Sequence, residues 1–276
     1  MDNETKISEN VQSDTGAVVK KARPSTIQVP IDYLKYVIEG EDLYINENII
    51  LHNPTVGEII KFGEQQYLQL VNILTMRPYD DKVALDDAGL NYLDYTDYDI
   101  FLRNYKAITK EMSSIILGDI DLTEFVLAIN KETDKPVLLH QEHCIVIDEL
   151  VYATIATFVR TINFISSKVE YDAGNETTRK YLIEKERKAL KRKAKRPPKP
   201  FESFLSNIIS LLCSHTGCKY NYQSIRDLTI GQLYDNFYRI GIIDERDRYL
   251  RILSTGLVKE KTDTNKLNWT RKITND

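Results

Sequence analysis

Four segments of this chain open with a side chain able to cap a helix and continue with apolar residues at helical spacing. After Pro54, Thr55-Val56-Gly57-Glu58 matches the capping box, in which the threonine oxygen accepts from a first-turn N–H and the glutamate bonds back to the cap. Behind it, Val56, Ile59, Ile60, Gly63, Tyr67, Leu70, Val71 and Leu74 form a 3.6-residue stripe that predicts one helix closed by Pro78. Gly63 inside that stripe costs about 1 kcal/mol of propensity, which close approach of another element would offset. Thr96-Asp97-Tyr98-Asp99 opens a second helix with Phe101, Tyr105, Ile108, Met112 and Ile115 on one face. Asn175-Glu176-Thr177-Thr178 caps a third, Arg179 to Arg196, which ends at Pro197-Pro198. Thr229-Ile230-Gly231-Gln232 leads a fourth, and a last helix is expected from Asp244 through Leu253, stopped by Gly256.

Two more segments read as helix. The run from Asp148 to Ile165 is apolar on most faces and suits a central, buried helix. Phe201, Phe204, Leu205, Ile208, Leu211 and Leu212 make an amphipathic one, stopped by Gly217. The period shortens to two only around Asn46-Glu47-Asn48, a hairpin connection between Leu43–Ile45 and Ile49–Leu51, and over Phe125–Ile129 and Val137–Ile147. The stretch between Pro78 and Thr96 reads as a long acidic connection. There is no internal repeat. The expected fold is mainly α with a small β element (α+β): a helical body with β-hairpins, a long basic connector helix and a compact helical C-terminal unit.

Charge divides the 276 residues more sharply than the overall −4 suggests. Residues 1–170 carry 15 Lys+Arg and 28 Asp+Glu, whereas residues 171–276 carry 22 and 13. Within the latter, residues 179–199 alone hold 11 basic and 2 acidic side chains. The expected organisation is a disordered tail over 1–26, an acidic α+β body over 27–170, a basic helix or linker over 171–199 and a helical C-terminal unit over 200–276. No apolar run reaches the roughly 18–20 residues a membrane-spanning helix needs, and the N-terminus lacks a secretory apolar region. Three cysteines do not make a disulfide framework, so the expected setting is reducing and cytoplasmic.

The chemistry-bearing residue types gather without forming a signature. His140/His143/Cys144 and Cys213/His215/Cys218 could together offer zinc its four N/S ligands. Their spacing resembles no zinc knuckle, and on a strand His140 and His143 would point to opposite faces. Asp80, Asp81, Asp86, Asp87, Asp94, Asp97 and Asp99 lack the order of a calcium loop, and Asp97 and Asp99 suit a helix first turn. No phosphate loop, dinucleotide fingerprint, zinc-protease helix or nucleophile elbow occurs. Phe62-Gly63-Glu64 and Leu117-Gly118-Asp119 are isolated glycines without a cradle of N–H groups. The reading is a non-enzymatic protein with no cofactor and no metal.

Two interaction features remain. In the basic helix, Lys185, Lys188, Lys191, Arg192, Lys193 and Arg196 lie around a thin apolar stripe of Ile183, Leu190 and Ala194. Such a helix could bind nucleic-acid phosphates through counterion release, dock on the chain's own acidic body or that of another copy, or stand as a solvated connector. Tyr181 is its only aromatic, which gives base stacking little support. The 17 tyrosines, among them Tyr92, Tyr95, Tyr98, Tyr105, Tyr220, Tyr222, Tyr234 and Tyr238, suit either half-buried packing or a protein-binding surface.

Residues 45–76, followed by Asp94-Tyr95-Thr96-Asp97-Tyr98-Asp99-Ile100-Phe101, resemble an early segment in proteins of tailed bacteriophages, a "P-T-x-G-E-I" helix start followed by a "tDy-x-iF" helix. Tyr220–Ile225, Leu228–Leu233 and Leu267-Asn268-Trp269 resemble the same group. The likeness is to tail assembly chaperones and related tail-morphogenesis proteins, which are mainly helical and hold the tape-measure protein before tube polymerisation. It implies a phage tail partner, tape-measure or tube component, met in the cytoplasm of the infected host or in the virion, with self-association as a further option. The candidate contacts are the stripe Ile230, Leu233, Tyr234, Phe237 and Tyr238 together with the basic helix. Two alternatives stand beside this: a nucleic-acid-binding accessory protein acting through residues 179–196, and a zinc-stabilised adaptor.

Overall fold

One buried helix organises the rest. In the computed structural model, which describes residues 27, 29–166, 175–255 and 264–273, α6 (Glu149–Ile162) turns Tyr152, Ile155, Ala156, Phe158, Val159 and Ile162 into the core. Asp148 caps it, its Oδ1 accepting from the Val151 amide at 2.8 Å. Around it, in chain order, stand α1 (Val56–Phe62), α2 (Glu64–Thr75), α3 (Lys82–Asp87), α4 (Asp97–Asn104), α5 (Lys110–Leu117), α7 (Glu176–Ala194), α8 (Phe204–Ser214), α9 (Ile230–Ser254) and the short α10 (Thr264–Leu267). Two antiparallel sheets complete the fold: β1 (Leu43–Asn46) with β2 (Ile49–Leu51), and β3 (Phe125–Asn130), β4 (Lys135–His140) and β5 (Ile145–Ile147) in that order. The architecture is mainly α with a small β element. α2, α4, α9, β1 and β5 all pack on α6.

Three expected helices are built differently. The stripe over 56–74 is two helices, because Gly63 adopts φ +110°, and its role is this backbone break rather than a close approach. A Cβ there would meet only the Gln66 side chain. The helix after Thr96 also divides: a 3-10 turn over Tyr105–Ala107 ends it, and Thr109 caps α5 by accepting from the Met112 amide. Conversely, Asp244 starts nothing, since α9 runs unbroken for 25 residues through it. The acidic connection after Pro78 contains a helix of its own, α3. The proposed tail over 1–26 and Gly256 lie outside the described residues.

The C-terminal segment does not form a core of its own. Leu205, Ile208 and Leu212 of α8 and Ile230, Leu233 and Tyr234 of α9 belong to the same apolar cluster as α2 and α6. The join is a clasp between two helix N-termini. The Val56 amide donates to Leu228 O at 2.8 Å and the Ile230 amide donates to Pro54 O at 2.9 Å, so Thr55 and Thr229 pair like two strand residues. Each threonine also heads a complete capping box, with Glu58 and Gln232 respectively. Gln232 Nε2 reaches on to Ile38 O at 2.8 Å, and Glu64 accepts from Ser203 Oγ and the Leu205 amide at the start of α8. Gly40, at φ +75°, lies against this clasp, where a Cβ would stand 2.9 Å from Thr229 Cγ2.

Gly40→Ala combines a left-handed backbone with a clash and should cost about 1–3 kcal/mol, whereas Thr229→Ala should cost about 1 kcal/mol through the lost cap; both are read from chemical unfolding. Burial pushes the Glu58 carboxyl up, but hydrogen bonds from Thr55 and His52 outweigh it and hold the group below its usual range. Because the folded value is the lower one, this stabilisation is present above the unfolded value and is lost as pH falls through the folded one. Glu58→Gln should therefore flatten the acid limb of the stability profile.

Candidate functional site

The basic helix α7 has two different sides. Its inner side is closed against the helix that composition alone concealed. Ile183, 1% exposed, joins Leu85, Tyr92 and Ile100 in a second small apolar cluster. Arg187 bridges to Asp86 at 2.9 Å and Asp87 at 2.5 Å and also pairs with Glu184. Lys82, almost fully buried, sits 4.0 Å over the Tyr79 ring and reaches Glu186 at 2.8 Å. Arg179 Nη1 donates to Asn91 Oδ1 at 3.3 Å. Hydrogen bonds to Asp86, Asp87 and Glu184 push the Arg187 guanidinium above its already high value. Of the aspartates weighed for calcium, Asp86 and Asp87 are thus the counter-charge for Arg187. Glu184 serves the same arginine.

The outer side differs. Lys185, Lys188, Lys191, Arg192, Lys193 and Arg196 are all exposed, and none has an ion-pair partner among the described residues. Every residue from Lys188 to Glu202 is exposed, so beyond the Arg187 dock the last turns of α7 stand clear of the body.

The other candidate contact is overturned as a free surface. Ile230 is 1% exposed, Leu233 0% and Tyr234 9%, and Phe237 and Tyr238 are half-buried against the same core. They are held there by Phe164, which stacks on Tyr238 at 5.2 Å, and by Phe204, which meets Phe237 edge-on at 6.2 Å. The stripe is α9's seat on α6 and α8. Most tyrosines follow: Tyr92, Tyr98 and Tyr105 are buried, Tyr95 and Tyr220 half-buried, and Tyr222 is exposed.

The two Cys/His groups remain apart in role. β4 ends at His140, and a turn brings His143 back over it, so the two rings lie 4.7 Å apart rather than on opposite faces. His140 Nε2 is 2.9 Å from Glu124, and His215 Nε2 is 3.2 Å from Asp244. Burial, then the neighbouring Cys218, push the Cys213 thiol up. Among the described residues, no group of three or more His, Cys, Asp or Glu is arranged to hold a metal ion.

A cleft of about 620 Å³ runs between the start of α4, the β3–β4 turn and the start of α6. Its carboxylates are already engaged. Asp99 accepts from Thr96 in a capping box, Asp148 caps α6, and Glu149 pairs with Lys135 at 2.9 Å. Beneath it Arg160 Nη2 bonds both Asp97 and Thr75 O at 2.8 Å. His52, whose ring nitrogens each lie 3.1 Å from a carboxylate, Asp42 and Glu58, was not singled out by sequence pattern. Its partners are 10 and 6 residues away, spacings that match no motif.

Three open apolar side chains lie within four residues of one another on β3. Val126, Leu127 and Ile129 are 41%, 58% and 67% exposed. β3 pairs only with β4, in the register Val126↔Leu139 and Ile129↔Pro136, and its other edge has no strand partner among the described residues.

The seat of α7 and the seat of α9 can be separated experimentally. Ile183→Ala should cost about 2–5 kcal/mol of local stability and Arg187→Ala should weaken the same dock. In hydrogen exchange, both should speed the amides of α7 and α3 together and leave those of α6 unchanged. Ile230→Ala should instead lower global stability by about 2–5 kcal/mol with no partner present.

No helix among the described residues is long and apolar enough to cross a membrane. Residues 193–274 match the domain family described as the YomV second domain, a phage-derived family of the Bacillus phage SPBeta-like kind. That stretch begins in the last turn of α7 and takes in α8, α9 and α10. No curated protein and no solved structure matches the chain.

Proposed function

We propose that this chain is a non-enzymatic phage protein of tail morphogenesis, a tail assembly chaperone or minor tail component, that holds another tail protein in the infected bacterial cell. The observation that carries the binding role is the open apolar edge of β3, with Val126, Leu127 and Ile129 exposed beside an unpaired backbone ladder. An edge of this kind accepts an extended segment of a partner as an added strand, with main-chain hydrogen bonds giving affinity and alternate side chains giving register. The phage-derived family matched by residues 193–274 supports the setting. The engagement of the cleft's carboxylates as caps and ion pairs supports binding over catalysis.

Co-expression with the tape-measure protein and, separately, the tube protein tests this reading. The chain should co-purify with one of them, and Leu127→Lys combined with Ile129→Lys should abolish the complex while leaving the thermal unfolding midpoint unchanged. A chain that stays alone with every tail protein offered overturns the proposal.

A further inference from the structure

Seven exposed cations lie from Lys185 to Arg196, at and just past the end of α7, and all but Lys193 stand at spacings that gather them. Lys185, Lys188, Arg192 and Lys195 follow one another by 3, 4 and 3 residues, and Lys191 and Arg196 flank this row. At 100° per residue these side chains span about 140° of one side of the helix, opposite Ile183. Over the 11 steps from Lys185 to Arg196 the row is roughly 16 Å long. The inner side is neutralised by Asp86, Asp87, Glu176 and Glu184, whereas from Lys188 onward no cation of α7 has an ion-pair partner among the described residues. Like charges packed this closely repel one another, so a polyanion that covers them would relieve the repulsion.

We propose that the projecting end of α7 binds duplex DNA through its phosphate backbone, entering the major groove. Three observations select this occupant. α7 is exposed on every side from Lys188 to its end at Ala194, and an α-helix about 10–12 Å wide fits a B-form major groove about 12 Å wide, whereas the A-form RNA groove is too narrow. Single strands are held on aromatic platforms, and α7 offers Tyr181 alone, two turns before the exposed segment. The remainder of the chain is acidic over residues 1–170, so DNA is repelled from the body and directed to the one basic projection. The contacts are to phosphates, which carry no sequence information, so binding is independent of sequence. This role does not depend on the β3 edge.

The test is titration of the full chain with 20-base-pair duplex DNA of two unrelated sequences across a salt series, beside duplex RNA and single-stranded DNA of equal length. Both duplex DNAs should bind alike, with log K falling against log salt at a slope of about −4 to −5, as contact with about five phosphates requires. Lys188→Glu, Arg192→Glu and Lys195→Glu together should weaken binding by at least about 100-fold at about 50 mM salt. These side chains are exposed, so an unchanged thermal midpoint shows that the variant is folded. Absence of duplex DNA binding at about 50 mM salt overturns the proposal, as does binding that survives the triple variant. Equal affinity for duplex RNA or single strands overturns the groove assignment. Salt-sensitive self-association without DNA binding, lost in the variant, overturns it in favour of a second copy as occupant.

Discussion

Two helix N-termini hold each other in this molecule, and the seating of the C-terminal helices on the α6 core depends on that contact. A helix start leaves amide groups without partners, and a cap satisfies only some of them. Here Val56 and Ile230, the first residues of α1 and α9, each donate to the carbonyl two residues before the other's start. The exchange is a two-residue piece of antiparallel ladder placed between helices. It fixes α9 beside α6, and α9 with Glu64 then fixes α8. Gly40 and Gly57 leave the space it needs; a Cβ on Gly57 would stand 3.1 Å from Arg226 O.

Charge arranges what the core does not. The acidic character of the first 170 residues is partly local compensation: Asp86 and Asp87 wait for Arg187, and Asp97 for Arg160. The partly exposed pairs of Arg187 contribute little individually, so the dock of α7 relies on Ile183 beneath them. Its placement is therefore set by one apolar residue, and its orientation by the pairs around it. The result is a helix with a neutralised side and a bare one.

Much of the fold was legible in the sequence. The capping boxes at Thr55, Thr96 and Thr229, the hairpin around Asn46-Glu47-Asn48 and the buried helix after Asp148 are all as their residues suggest, because each is decided within a few residues. The misreadings arise where the deciding contact is distant or conformational. Periodicity continues through Gly63 although the backbone does not, and α3 is too short and too charged to show a stripe. The apolar face of α9 reads the same whether it meets a partner or its own core; α6, some 70 residues earlier, decides that it is core. The open edge of β3 was invisible for the converse reason, since alternation says which residues face each way but not where a sheet stops.

The clasp also separates ancestry from architecture. The segment that matches a phage-derived family begins at residue 193, yet the amide of Ile230 inside it is satisfied by Pro54, far outside it. A gene fragment exchanged at that point would arrive with its longest helix missing an acceptor and its apolar face uncovered. Such a segment can be inherited as a unit only alongside a host chain that presents the same proline–threonine turn. The boundary of the family match and the boundary of the packed core therefore lie in different places.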